Sequence, residues 1–266
     1  MLKVINKNII FSFDLDGTLM SHGQNIIDPS GIEALYKAAN IGEVVIASAR
    51  PPRGIFFLFK DLPVKPKAVI ALNGAITFLN GKIIESVAMP GDTVEKVMYC
   101  CKDRCEVWLY TRSQWFSLNI VSEFCQKEAH SVGFSPRLIS KIGDKTTILK
   151  MTLLSNDWDN VKMKDLLLNN ELSISSSNPG YMEVYSSDAN KYRALKKVIS
   201  HLKVTDPFIF AIGDSDNDID ILSKADFSCT VGNATSKAKA HSRYSSDKHY
   251  GKGALDCVTR FIEEFI

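Results

Sequence analysis

The sequence predicts an α/β fold: a parallel-sheet core whose chain is interrupted by an inserted α+β domain. Two observations predict the core. Short apolar runs leaving through polar residues alternate with helical patterns before residue 75, and the same alternation returns after residue 186. A third predicts the insertion. A crossover between parallel strands needs only a dozen or so residues, yet residues 83–186 intervene and carry strands in adjacent pairs. The core is therefore expected over 1–82 and 187–266, and the inserted domain over 83–186.

Ile9 to Phe13 is apolar, rich in β-branched and aromatic residues and closed by a turn signal, so it reads as a buried strand. It runs into Asp14-Leu15-Asp16-Gly17-Thr18. After a loop at 21–27, Asp28-Pro29 offers an N-cap and a proline at the first helical position. Ile32, Leu35, Tyr36 and Ala39 follow at helical spacing. Glu43 to Ala47 is a second strand that leaves through Ser48-Ala49-Arg50, and a helix is expected around Gly54 to Lys60. Ala68 to Ala71 is a third strand, ending at Asn73-Gly74. Asn80-Gly81 between two short strand patterns is a strong hairpin signal.

The insertion reads as helix 92–104, strands 106–110 and 115–118, helix 120–130, strand 147–154, helix 158–169 and strands 171–177 and 181–185. Paired strands predict a mostly antiparallel sheet with helices on one face. Asp188 to Lys203 then reads as a helix. Phe208 to Ile212 is a buried strand that ends in Gly213-Asp214-Ser215-Asp216-Asn217-Asp218, with a helix beginning near Asn217. Phe227 to Val231 is a further strand, leaving through Gly232-Asn233-Ala234. A short helix, a polar stretch around 242–253 and a closing helix to Ile266 complete the chain.

A net charge of +2 with no Lys/Arg block gives no case for nucleic acid or a charged membrane surface as partner. No run of eighteen apolar residues and no charged segment followed by an apolar one is present, so a cytoplasmic, membrane-free protein is expected. The six cysteines lack the spacing of a disulfide framework; Cys101, Cys105 and His130 could hold zinc, but buried free thiols fit the spacing better. The sequence is silent on oligomeric state.

The chemistry lies at the strand exits. Asp14 and Asp16 share one side by strand period, and burying two carboxylates together needs a cation between them or a proton on one. Alone, this stretch reads equally well as a polar exit into a turn. The remaining exits decide the matter, because parallel strands bring Ser48, Asn73, Asp214, Asn217 and Asp218 to the same sheet edge. Three or four carboxylates with only oxygen donors select magnesium. A carboxylate there can attack phosphorus to give an aspartyl-phosphate, and a divalent cation offsets the repulsion of two anions. Ser48 can donate to a phosphate, and Lys191, at the start of a helix, can complete the charge balance. The GxxxxGK[ST] and GxGxxG loops are absent.

Asp14-Leu15-Asp16-Gly17-Thr18, Ser48, Lys191 and Gly213-Asp214-(x)2-Asn217-Asp218 resemble the four ordered motifs of the haloacid dehalogenase (HAD) superfamily. The segment between the second and third resembles the C2-type cap of its Cof-type sugar-phosphate phosphatases. The resemblance covers nearly the whole chain and implies a Rossmann-like core. It also implies a Mg2+-dependent phosphatase acting on small phosphorylated metabolites. Asp14 then resembles the nucleophile, and Asp16 the general acid/base, which also offers its backbone carbonyl to the metal. Asp214 resembles the metal carboxylate, with Asp218 and Asn217 supporting metal or phosphate. Gly17, Ser48, Ala49, Lys191 and Asn73 fall at phosphate or substrate positions. An aspartate at 16 favours phosphate transfer over dehalogenation, because a leaving alkoxide needs a proton and a halide does not. Two residues depart from the family pattern. Ala49 stands where glycine is usual, which bears on substrate affinity, and Tyr192 follows Lys191 where glycine is usual. A phosphomutase, or a phospho-metabolite sensor with vestigial turnover, are the alternatives. Arg50 reads equally as an ion-pair partner or a substrate contact, and Trp108 and Trp115 read as cap core.

Overall fold

The computed structural model describes residues 8–101, 104–139, 146–156, 171–176 and 180–266. The chain opens with β1 (Ile9–Phe13), α1 (Pro29–Ala39), β2 (Glu43–Ala47), α2 (Pro52–Leu58) and β3 (Ala68–Ala71). The hairpin β4 (Ile76–Leu79) and β5 (Lys82–Ser86) follows. Its turn has the pair of positive φ angles a type I′ turn demands, +48° at Asn80 and +75° at Gly81. The helix expected around Gly54 begins earlier, because proline at its start needs no N–H partner.

The middle of the chain forms α3 (Gly91–Cys101), β6 (Glu106–Tyr110), β7 (Trp115–Ser117), α4 (Glu123–Val132), β8 (Arg137–Leu138), β9 (Lys150–Leu154), β10 (Leu172–Ser175) and β11 (Tyr181–Ser186). The Ser122 side chain caps α4 by accepting from Cys125 N–H, and Gly133 ends it at φ +78°. The helix expected at 158–169 lies outside the described residues. The chain closes with α5 (Lys191–Leu202), β12 (Phe208–Gly213), α6 (Ile219–Lys224), β13 (Phe227–Thr230), α7 (Ser236–Ala240), β14 (Tyr244–Ser245) and α8 (Tyr250–Phe265).

Two sheets result. The larger runs β14-β13-β12-β1-β2-β3-β4-β5, and the smaller β10-β11-β9-β6-β7-β8. From β14 to β3 the larger sheet is parallel, while β4 and β5 are antiparallel additions. The architecture is thus a mixed α/β core with a second sheet. Because β5 pairs with β4, the boundary expected at 82/83 falls inside a hairpin of the larger sheet, and the chain changes sheet only after Ser86. The smaller sheet is antiparallel except at its edge, where β7 and β8 run parallel.

All five residues of β1 are buried. Phe11 meets Phe210 at 5.1 Å and Phe261 of α8 at 5.5 Å between ring centroids. β1, which leads into the two aspartates, is therefore covered on both faces, and on the Phe11 face such aromatic pairs add to already large apolar burial. In the second sheet Trp108 and Trp115 are fully buried and pack at 5.0 Å, as core. All six cysteines are free. No helix among the described residues is long and apolar enough to cross a membrane.

Candidate active site

The strand order puts the site at a switch point. From β1 the chain crosses to β2 on one side, while β12 lies on the other. The crevice outside the C-terminal ends of such strands is where α/β sheets bind ligands. Asp14 leaves β1 there, Ser48 leaves β2 and Asp214 leaves β12, and each is almost fully buried.

Ligand oxygens of Asp14, Asp214 and Asp218 lie within 4.8 Å of one another. Lys191 inserts its ammonium beside them, donating to Asp14 Oδ1 at 2.7 Å and to Asp218 Oδ1 at 2.6 Å. It is the first residue of α5, where the helix dipole disfavours a cation, and it is only 1% exposed. A lysine in that position is explained by the carboxylates it faces, not by the helix. Burial alone would lower its pKa, but Asp14 and Asp218 outweigh that and raise it. Asp14 is pushed well up by burial, with Asp218 and Asp214 adding to the rise and Lys191 opposing it. Burial likewise raises Asp214, opposed by His22.

Both oxygens of Asp218 accept hydrogen bonds, Oδ1 from Lys191 and Oδ2 from the N–H groups of Asp214 and Ser215, which leaves Oδ1 a lone pair for a cation. Asp218 shapes the loop as well as facing Lys191. Asp214 keeps more freedom: Thr18 Oγ1 donates to it at 3.4 Å, and His22 Nε2 stands 3.4 Å from its other oxygen. The donor set fits a hard divalent cation, because three buried carboxylates exceed the charge one lysine can balance.

The Asp16 carboxylate does not join this cluster, contrary to the expectation from strand period. β1 ends at Phe13, and the backbone then turns tightly. Leu15 C=O accepts from the N–H groups of Thr18, Leu19 and Met20, and Gly17 adopts φ +86°. That turn sends the Asp16 carboxylate to Arg50, which grips it with Nε on Oδ2 and Nη2 on Oδ1, both at 2.6 Å. The same guanidinium reaches the smaller sheet's side of the molecule, donating to Ser131 C=O at 2.6 Å and to Ser131 Oγ at 3.0 Å. Arg50 is thus an ion-pair partner that links Asp16 to the C-terminal turn of α4.

Gly17 is required by both conformation and space. A Cβ there would lie 2.2 Å from Asp214 Oδ2 and 2.6 Å from His22 Nε2. Asn233 fixes the turn by donating to Gly17 C=O at 2.7 Å. Gly17→Ala is expected to cost about 1–3 kcal/mol from backbone strain alone and to displace Asp214. Chemical denaturation and steady-state rates on one preparation check this; wild-type values in both would contradict the packing.

Ser48 is buried, and its Oγ accepts from Arg50 N–H. Ala49 lies outside the positive-φ residues, so the backbone makes no demand for glycine there. Its C=O accepts from Lys150 Nζ at 2.8 Å. Asn217 donates to Asn73 Oδ1, and Asn73 Nδ2 donates to Glu183 Oε2 at 2.7 Å. Asn73, at φ +58°, is therefore engaged between the two sheets, and it lies away from the cavity over Asp14. That cavity, about 680 Å³, is lined by Asp14, Asp16, Ser48, Ala49 and Asn217 on the core side, with His22 beside them. The size is that of a small-molecule site.

Sequence reasoning missed His22 and the bridge from Lys150 and Glu183 to the core. His22 carried only a proximity signal, being a few residues beyond the Asp14 motif. Lys150 and Glu183 sit in apolar strand patterns, where a charged residue facing inward is itself a cue.

Residues 11–257 match the family model of haloacid dehalogenase-like hydrolases. A 5-amino-6-(5-phospho-D-ribitylamino)uracil phosphatase of Bacillus subtilis is 24% identical over 256 residues, 95% of each chain. A haloacid dehalogenase-like hydrolase of B. subtilis superposes with a TM-score of 0.83 at 18% identity, covering 94% of this chain and 98% of that one. A sugar phosphatase of HAD subclass IIB gives 0.81 at 21% identity, covering 96% and 99%. With nearly its whole length matched by the family model, the chain belongs to the haloacid dehalogenase-like hydrolases and is an enzyme of that family.

Proposed function

We propose that the protein hydrolyses small phosphorylated metabolites, sugar phosphates or related polyol phosphates, through an aspartyl-phosphate on Asp14 with Mg2+ as cofactor. The observation that carries this is the cluster of Asp14, Asp214 and Asp218 against Lys191, opening on a cavity that also holds Asp16. The sugar phosphatase and the ribitylaminouracil phosphatase among its relatives support the substrate class.

Asp14, Asp214 and Asp218 would hold the metal, which supplies positive charge against the phosphoryl oxygens. With Asp14 Oδ1 on Lys191, Oδ2 is the oxygen available to attack. Attack forms the Asp14–phosphorus bond as the bond to the leaving oxygen breaks, and Asp16 delivers a proton to that oxygen. Water then attacks phosphorus and gives its proton to Asp16, so that phosphate leaves and the Asp14 carboxylate is restored. Ser48 and Lys191 clamp the phosphate. The Arg50 grip must loosen for Asp16 to exchange a proton, and Arg50's contacts to α4 tie that release to the position of the cap.

A panel of phosphorylated sugars and polyols, assayed with Mg2+ and with EDTA, tests this. Turnover is expected to fall at least about 100-fold in EDTA and to return with Mg2+. Protons compete for Asp14 and Asp214, whose pKa values are raised. The apparent Mg2+ affinity should therefore weaken progressively as pH is lowered. Metal-independent turnover, or affinity that improves at lower pH, would count against the reading.

A further inference from the structure

The cavity over Asp14 continues beyond the space a phosphate needs, and its far wall belongs to the smaller sheet. Tyr110 on β6, Lys150 and Thr152 on β9, Glu183 on β11 and Glu128 on α4 line it. Most of the charges lining the cavity pair off, and Glu123 and Lys127 on α4 meet at 2.6 Å. Lys150 and Glu183 neutralise each other at 2.7 Å, both deeply buried. Arg50 is saturated by Asp16. Glu128 has no cation within ion-pair distance among the described residues; the Tyr110 hydroxyl donates to its Oε1 at 3.3 Å. Burial pushes the Glu128 carboxyl up, though Lys150 and Arg50 pull it down.

Thr152 makes a second point. It is 2% exposed and lines this cavity, and its Oγ1 makes no hydrogen bond of normal geometry among the described residues, although the Tyr110 hydroxyl stands near it. A buried hydroxyl left unpaired is costly unless something else meets it.

We propose that two residues of this wall, Glu128 and Thr152, decide which leaving groups the site accepts. Glu128 and Thr152 take hydrogen bonds from hydroxyl or amino groups distal to the phosphate, and Glu128 excludes leaving groups that carry a carboxylate of their own. The inference rests on the phosphatase reading above and adds the chemistry of the leaving group to it. A polyhydroxylated leaving group satisfies both acceptors. An acidic one sets like charge against Glu128 in a confined, poorly hydrated space, a form of discrimination by repulsion.

Erythritol 4-phosphate and erythronate 4-phosphate differ only in a terminal CH2OH against a carboxylate, so they isolate the effect. The wild-type enzyme with Mg2+ is expected to favour the alcohol by at least about tenfold in kcat/KM. Glu128→Gln should compress that ratio about tenfold, chiefly by improving the acid. Thr152→Val, nearly isosteric, should raise KM for the alcohol several-fold while circular dichroism shows the fold retained. Equal turnover of the two compounds by wild type, or a Glu128→Gln variant that shifts both by the same factor, would overturn the assignment while leaving the phosphatase reading in place. Absence of magnesium-dependent turnover on these and on an aryl phosphate would overturn both.

Discussion

Asp14→Asn is expected to lower kcat on an aryl phosphate roughly 10⁴-fold or more, a loss typical of removing a covalent nucleophile. The amide matches the carboxylate in shape and keeps an oxygen for Lys191 to donate to. It offers no anionic oxygen to form the phosphoryl bond. The fold should survive, because the substitution removes one negative charge from a crowded acidic cluster in which burial and two neighbouring carboxylates already push Asp14 upward. Steady-state rates beside a thermal melt in EDTA separate the two effects. A variant retaining most of its turnover would remove Asp14 from the nucleophile's place, whatever the geometry around it.

The position of Asp14 was legible in the chain because it follows from local pattern. A buried parallel strand is a short apolar run, and its exit is where the run meets polar residues. Asp14, Ser48 and Asp214 could therefore be placed at one sheet edge from sequence. The fate of Asp16 could not. Its two-residue spacing from Asp14 suggests a shared face, but the strand ends at Phe13 and the Gly17 turn redirects it to Arg50. The bridges between the sheets were equally invisible. Lys150 meets Ala49 and Glu183 meets Asn73, partners about a hundred residues apart in sequence. Such contacts follow from how the smaller sheet docks, and no periodicity encodes that. The hairpin of β4 and β5 misled in a different way: its turn was unmistakable, but a hairpin signal does not say which sheet its second strand joins.

The buried lysine gives the second large expectation. Lys191→Met keeps an unbranched side chain of similar length and removes the charge, leaving Asp14, Asp214 and Asp218 together without their internal cation. Breaking a buried pair from one side typically costs about 3–5 kcal/mol, and that loss is expected at neutral pH in EDTA. The sign of its pH dependence follows from the carboxylates. The folded pKa values of Asp14 and Asp214 are already raised, and removing Lys191 takes away an interaction that lowers both. A carboxylate with a raised folded pKa destabilises the protein above that pKa and ceases to do so below its unfolded value. The gap between variant and wild type should thus be widest at neutral and alkaline pH and narrow as pH falls toward the ordinary carboxylate range. Mg2+ should narrow it too, by placing a cation among the same oxygens. Urea denaturation at several pH values, with EDTA and with Mg2+, measures all three. A gap that is independent of both pH and Mg2+ would mean that Lys191 stabilises the fold by packing rather than by charge.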